Sequence, residues 1–214
     1  MTKKILSEFI GTAFLLMIIV GSGIMGETLS NDTATVLLAN ALATGAGLIT
    51  LIWLFEPLSG AHFNPAVSLF MFFNKNMTLS ELLFYIIFQV LGGIVGVILA
   101  NLMFELPAIE ISEKIRAGNN IYLSELIATF GLLLVIAVIS VKNAKVIAPA
   151  VGLYITAGYW FTSSTSFANP AVSIARSFTN TFTGISPENI LNFILMQILA
   201  VIIVYGTTKI LLKD

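Results

Sequence analysis

Apolar residues dominate this chain in long runs broken by brief polar ones. The runs fall at about Ile5 to Met25, Ala34 to Phe55, Leu82 to Phe104, Ile121 to Val141, Val146 to Phe161 and Ile190 to Leu212. A helix of about 20 apolar residues crosses a bilayer, so the pattern predicts six transmembrane helices. Two further runs, Pro65 to Phe73 and Pro170 to Phe178, are too short to cross and fit re-entrant half-helices. The expected fold is therefore an all-α membrane protein of six spans and two half-spans. The first run follows Lys3 and Lys4 but is long and carries no A-x-A cleavage site, which argues against a secretory signal.

Composition agrees with the pattern. Hydrophobic residues make up 57% of the 214 and charged residues only 10%, whereas soluble domains carry about 25% charge. Little chain is left for a separate domain, so a single domain over residues 1–214 is expected. The net charge of −1 and the lack of a basic stripe exclude nucleic acid as a natural partner. With no cysteine there is no disulfide, thiolate metal site or cysteine nucleophile. Six crossings put Lys3, Lys4, Lys75, Lys142, Lys145, Lys209 and Lys213 on one side and Lys114, Arg116 and Arg176 toward the other. Positive charge marks the cytoplasmic face, so both termini are expected there.

The half-helix starts carry the chemistry. Asn64, Pro65, Ala66 recurs as Asn169, Pro170, Ala171, each followed by Val and Ser. Asn is a good N-cap and Pro a good first helical residue. A helix that begins inside a membrane points its unpaired N–H groups and positive dipole end at whatever occupies the interior. Two such starts face to face would make a polar spot in an apolar path. Their amide NH₂ groups would donate to a passing oxygen while the carbonyl ends are held by local backbone.

The two halves also correspond elsewhere. Ser7, Glu8, Phe9, Ile10 opens the first span, and Ser124, Glu125, Leu126, Ile127 the fourth. Three spans lie between them, so the halves, about 1–110 and 118–214, enter from opposite sides as an inverted 3+3 repeat whose broken helices meet near the midplane. From Glu to Asn the spacing is 64 − 8 = 56 in one half and 169 − 125 = 44 in the other. The extra length is expected in the polar stretch Glu27 to Thr35.

The doubled motif, the sequence Ser59 to Val67, Phe167 to Val172 and the two Glu-bearing span starts resemble the major intrinsic protein family, the aquaporins and glycerol facilitators, over essentially the whole chain. The resemblance implies a right-handed aquaporin-like bundle, one pore per protomer and a homotetramer. It also implies that Glu8 and Glu125 brace the re-entrant loops. Read from the residues alone, an ionisable group inside a span could equally be a proton relay. His62 reads as serving the same loop or lining the cytoplasmic mouth; a metal role lacks a second ligand.

One departure from the family stands out. Most aquaporins place Arg directly after the second Asn-Pro-Ala, and here that residue is Val172. Counting from the asparagines puts the other positions of the outer filter at Thr44, Ala157 and Ser166, with Gly158 the rival of Ala157. All four are small, so a wide filter is expected. Arg176, one turn beyond Val172, either returns the missing charge to the filter or caps the half-helix among lipid headgroups. The function expected is a passive channel in a cell membrane, not an enzyme, and without cofactor. Its cargo would be water and small uncharged solutes such as glycerol-like polyols or metalloid hydroxides, arsenite among them. The other reading is a proton-coupled transporter using Glu8 or Glu125.

Overall fold

The computed structural model describes residues 1–213, Ala144 by its backbone alone; Asp214, the end of the expected domain, lies outside the described residues. Eight α-helices follow in order among the described residues: α1 Thr2–Leu29, α2 Thr33–Ser59, α3 Pro65–Phe73, α4 Leu79–Met103, α5 Asn119–Lys142, α6 Ile147–Phe161, α7 Pro170–Ala175 and α8 Pro187–Leu211. Five of them are long and apolar enough to span a membrane, while α6 has 15 residues, about 22 Å of helix. The two half-helices are α3 and α7; α7 ends early, and Arg176–Phe178 continues it as a 3₁₀ turn.

Local chemistry sets the ends. Asp32 caps α2 by accepting the Thr35 N–H at 2.8 Å, and Thr78 with Glu81 forms a reciprocal capping box on α4. Glu81 also receives Lys4 Nζ at 3.0 Å, tying the starts of α1 and α4 together. Gly60 ends α2 in the left-handed region at φ 88°, where a side chain would be strained.

Close packing depends on missing side chains. A Cβ on Gly92 or Gly96 of α4 would lie 2.3 Å from Phe9 O or 2.2 Å from Ala13 O of α1, so both glycines let these backbones touch. Gly45 of α2 and Gly152 of α6 do the same for each other, at 2.8 and 2.6 Å from the opposite carbonyl. Helix α1 thus packs on α4 and α2, α5 on α8 and α6, and the contact of α2 with α6 joins the halves.

The length difference between halves is not in a polar loop. Only residues 30–32 separate α1 from α2; the excess of 12 is helix, 27 residues in α2 against 15 in α6. The Glu27 to Thr35 stretch misled because Glu27 and Thr28 continue α1, where the Thr28 hydroxyl bonds back to the Ile24 carbonyl.

Candidate functional site

Each re-entrant loop bends through left-handed residues before its asparagine: Ala61 and Phe63 at φ 50° and 49° in the first, and Thr165, Ser166 and Ala168 at 60°, 51° and 48° in the second. Strain of this kind costs about 1–3 kcal/mol per residue and persists only where the surroundings over-determine it. Here a buried carboxylate does so. Glu8 accepts from the backbone N–H of His62 (3.0 Å) and Phe63 (2.7 Å), the Ser59 hydroxyl (2.6 Å) and Gln89 Nε2 (2.7 Å). Glu125 accepts from the N–H of Phe167 (3.3 Å) and Ala168 and from Gln197 Nε2 (2.8 Å). Neither glutamate faces the cavity described below.

The bends aim the two asparagines at each other's loop. Asn64 Nδ2 donates to Ala168 O at 2.7 Å, and Asn169 Nδ2 donates to Phe63 O at 2.8 Å. Their Oδ1 atoms accept from Ala66 N (2.8 Å) and Ala171 N (2.9 Å), capping α3 and α7, with Pro65 and Pro170 at the first helical positions. The two caps are therefore cross-tied, which the sequence did not reveal. One N–H of each amide is spent on the opposite carbonyl and one remains.

Both asparagines line a cavity of about 220 Å³. Its wall is built from helical stripes spaced by four: Thr44, Leu48, Ile52, Glu56 on α2; Leu132, Ile136, Ser140 on α5; Ile147, Val151, Ile155, Tyr159 on α6. The α2 stripe alone extends about 18 Å. At one end Glu56, Gly60 and Ser140 are exposed; at the other Thr44, Tyr159, Ser166, Val172 and Arg176 are all buried.

That buried end differs from expectation at one position. Thr44, Ser166 and Val172 line the cavity, but Ala157 is exposed on the outer face of α6, and the residue that reaches the cavity is Tyr159. Gly158, the rival, is buried beside Ser166, whose hydroxyl a Cβ at 158 would approach to 2.6 Å. The count back from Asn169 had to cross residues 162–168, which form no helix, so it had no register to hold. Tyr159 places a phenol where only small side chains were expected, and the opening is narrower than four small residues would leave. Its hydroxyl lies 3.1 Å from Thr44 Oγ1. The signal was present in the fourfold spacing of Val151, Ile155 and Tyr159.

Arg176 is 2% exposed, not among headgroups. Its guanidinium lies over the Phe167 ring at 3.6 Å, its Nε donates to Thr183 O, and it lines the cavity beside Val172. Arg116, from the α4–α5 connection, approaches the same ring at 5.0 Å and donates from Nε to Gly184 O at 2.8 Å. Lys114 Nζ donates to Phe182 O at 2.6 Å; burial first, then the charges of Arg116 and Arg176, push it down to about 8. This end of the cavity is thus positive, and the Glu56 end is negative.

Residues 1–179 match the family model described as Major intrinsic protein. The chain belongs to that family. It is similar to "Aquaglyceroporin AqpS" of Rhizobium meliloti, 46% identical over 213 residues, covering 100% of this chain and 91% of that one. It also resembles a "Probable aquaporin TIP-type" of Medicago truncatula at 35% identity, over 80% of this chain and 73% of the other. Among solved structures, an aquaglyceroporin from Plasmodium falciparum superposes with a TM-score of 0.75 over 97% of this chain and 95% of that one, at 23% identity. As a major intrinsic protein the chain is a membrane channel for water and small solutes and not an enzyme. Within it, His62 lines the cavity and its Nδ1 pairs with the Ser68 hydroxyl at 3.0 Å.

Proposed function

We propose that this major intrinsic protein is a passive channel whose cargo is water and small neutral solutes rich in hydroxyl groups, glycerol-like polyols and metalloid hydroxides such as arsenite. The observation that carries this reading is the cavity itself. Its wall is mostly apolar, and its polar groups are two cross-tied amides, the hydroxyls of Thr44, Tyr159 and Ser166 with the Arg176 cation at the buried end, and Glu56, His62 and Ser140 toward the exposed end. A neutral molecule with oxygens finds donors along an otherwise apolar path. A cation meets Arg176 and the positive ends of α3 and α7.

Residues 1–110 and 118–214 act as two repeats of one channel domain, with Asn64, Pro65, Ala66, Asn169, Pro170 and Ala171 at their meeting point. Thr44, Tyr159, Ser166, Val172 and Arg176 form the filter, and Glu8 and Glu125 hold the loops. The alternative, proton coupling through those glutamates, is disfavoured by their place outside the cavity and by the donors that already occupy their oxygens. Both termini face the cytoplasm, and four protomers assemble, each with its own pore.

Purified protein in liposomes tests this. Stopped-flow glycerol and arsenite uptake should run down the solute gradient at a rate indifferent to an imposed proton gradient, and Val172→Arg should slow glycerol more than water. Accumulation of solute driven by the proton gradient would contradict the channel.

A further inference from the structure

Toward its exposed mouth the cavity is lined by the chain's only histidine, and a row of hydrogen bonds behind His62 fixes what its ring shows to the interior. The row starts at Glu8, whose carboxylate oxygens accept from Ser59, His62, Phe63 and Gln89. A carboxylate only accepts, so Gln89 turns its NH₂ group that way. One hydrogen on Nε2 goes to Glu8 Oε2 at 2.7 Å and the other to Ser68 Oγ at 3.0 Å. Ser68, fully buried, thus accepts from Gln89 and keeps its own proton to give. The Nδ1 atom of His62 lies 3.0 Å away and receives it. With a hydrogen on Nδ1 instead, the Ser68 oxygen would face two donors and its own hydrogen would be buried without an acceptor, which folded proteins avoid. A ring that accepts at Nδ1 carries its single hydrogen on Nε2.

The other loop shows where such a serine turns when no imidazole is present. Ser173 likewise accepts from a glutamine, Gln197 Nε2 at 3.0 Å, but Phe167 stands in the place of His62, and Ser173 donates to the Asn169 carbonyl at 3.0 Å. Tyr85 meets the imidazole edge-on, with ring centroids 5.2 Å apart, yet its hydroxyl is spent on Ser59 O at 2.7 Å and offers the ring no bond. Nε2 itself has no partner among the described residues. It lies on the side of Gly60, where a Cβ would come within 3.3 Å of it, and both residues line the cavity.

We propose that Ser68 is a positioning residue for transport: by donating to Nδ1 it holds His62 in the form protonated at Nε2, so that the ring presents a hydrogen-bond donor to the cavity and no acceptor. The inference rests on the channel reading and deepens it. His62 joins the amides of Asn64 and Asn169 as a third donor along the path. A row of donors suits a polyol, which has an oxygen to offer at each step; urea carries several N–H groups and a single oxygen. Without Ser68 the ring takes either tautomer, and a bare Nε2 lone pair gives urea an acceptor that the wild type withholds.

Because His62 is the only histidine, isotope-labelled histidine in the bilayer-reconstituted protein gives a single imidazole, whose two nitrogens solid-state NMR distinguishes. Wild type is expected to carry the hydrogen on Nε2 alone, Ser68→Ala to show both forms, and Ser68→Thr, which keeps the hydroxyl, to return to the wild-type spectrum. In proteoliposomes the ratio of urea to glycerol permeability should rise about threefold in Ser68→Ala, the worth of one hydrogen bond of modest net strength, and return in Ser68→Thr. A wild-type ring with its hydrogen on Nδ1, or on both nitrogens in turn, overturns the proposal without any variant. So does a Ser68→Ala spectrum that stays with Nε2 alone, or an unchanged ratio once the spectrum has changed. Should Ser68→Ala fail to insert, the wild-type spectrum carries the decision. Wild-type liposomes no more permeable than protein-free ones would instead remove the channel reading, whatever the spectrum shows.

Discussion

The two re-entrant loops share a scaffold and differ in what hangs from it. The shift that carries Asn64 onto Asn169 carries Ser59 onto Ser164, Ala61 onto Ser166 and Ser68 onto Ser173. In both, the early serine hydroxyl accepts a backbone N–H two residues on, at 3.1 and 3.2 Å, and a glutamine from a long helix donates to the later serine at 3.0 Å. The same shift turns His62 into Phe167. Opposite His62 stands Tyr85, ring centroids 5.2 Å apart; opposite Phe167 stands Phe193 at 5.0 Å. So one loop presents a polar aromatic pair near an exposed mouth, and the other an apolar pair that serves as the seat of two guanidinium groups. The backbone brace is shared; charge is not. A repeat can keep its backbone chemistry while each copy takes a separate task, provided the tasks fall on side chains outside the brace.

The brace itself gives the largest expected effects. Glu8→Ala strips the partner from donors on Ser59, His62, Phe63 and Gln89, and Glu125→Ala from those on Phe167, Ala168 and Gln197. At about 1–3 kcal/mol per stranded buried donor, both should lose most of their stability, with Glu8→Ala the worse. Thermal unfolding in detergent checks the order, and a larger loss for Glu125→Ala than for Glu8→Ala would contradict this donor count.

Next come the asparagines. Asn64→Ala and Asn169→Ala each remove a cap worth about 1 kcal/mol and a buried cross-tie of similar size. Because the ties are reciprocal, the two melting shifts should match, near 2 kcal/mol in total, with glycerol flux reduced in both. A large inequality would mean that one loop is held by something other than its partner.

Charge separates the ends more sharply. Arg176→Gln should raise sodium leak through proteoliposomes several-fold, since a charge in a buried, narrow passage acts through a low dielectric. Glu56→Gln, at the exposed end, should leave it unchanged. The smallest effect is expected from His62→Phe, which copies one loop into the other. Ser68 can then donate to the Asn64 carbonyl, as Ser173 donates to that of Asn169 at 3.0 Å, so the cost should stay near 1 kcal/mol by thermal unfolding.

How much of this was legible depended on whether a position was tied to a local rule. The half-helix starts were, because Asn followed by Pro specifies a cap and a first turn within two residues, and α3 begins and ends where its apolar run does. The glutamates were legible through their matched place at the start of α1 and α5. Ala157 was not, because its assignment crossed residues 162–168, whose length no local rule fixes. The cross-ties of Asn64 and Asn169 were invisible for a further reason: they need the left-handed carbonyls of Phe63 and Ala168, conformations that Phe and Ala do not advertise. Gly11 offers a retrospective clue, since a Cβ there would lie 2.0 Å from the Phe63 ring, whereas the second half has Ala128 at the position matching Gly11 and the smaller Ala168 at that of Phe63.

The absence of cysteine makes the path itself open to direct measurement. Single cysteines at Val67 and Val172, one on each half-helix and both lining the cavity, and at the exposed Ala157, would be treated with a small mercurial while glycerol flux through proteoliposomes is followed. Flux should stop for Val67→Cys and Val172→Cys and continue for Ala157→Cys. Block at Ala157→Cys with free passage at the other two would place the route outside the Asn64–Asn169 cavity and contradict the account.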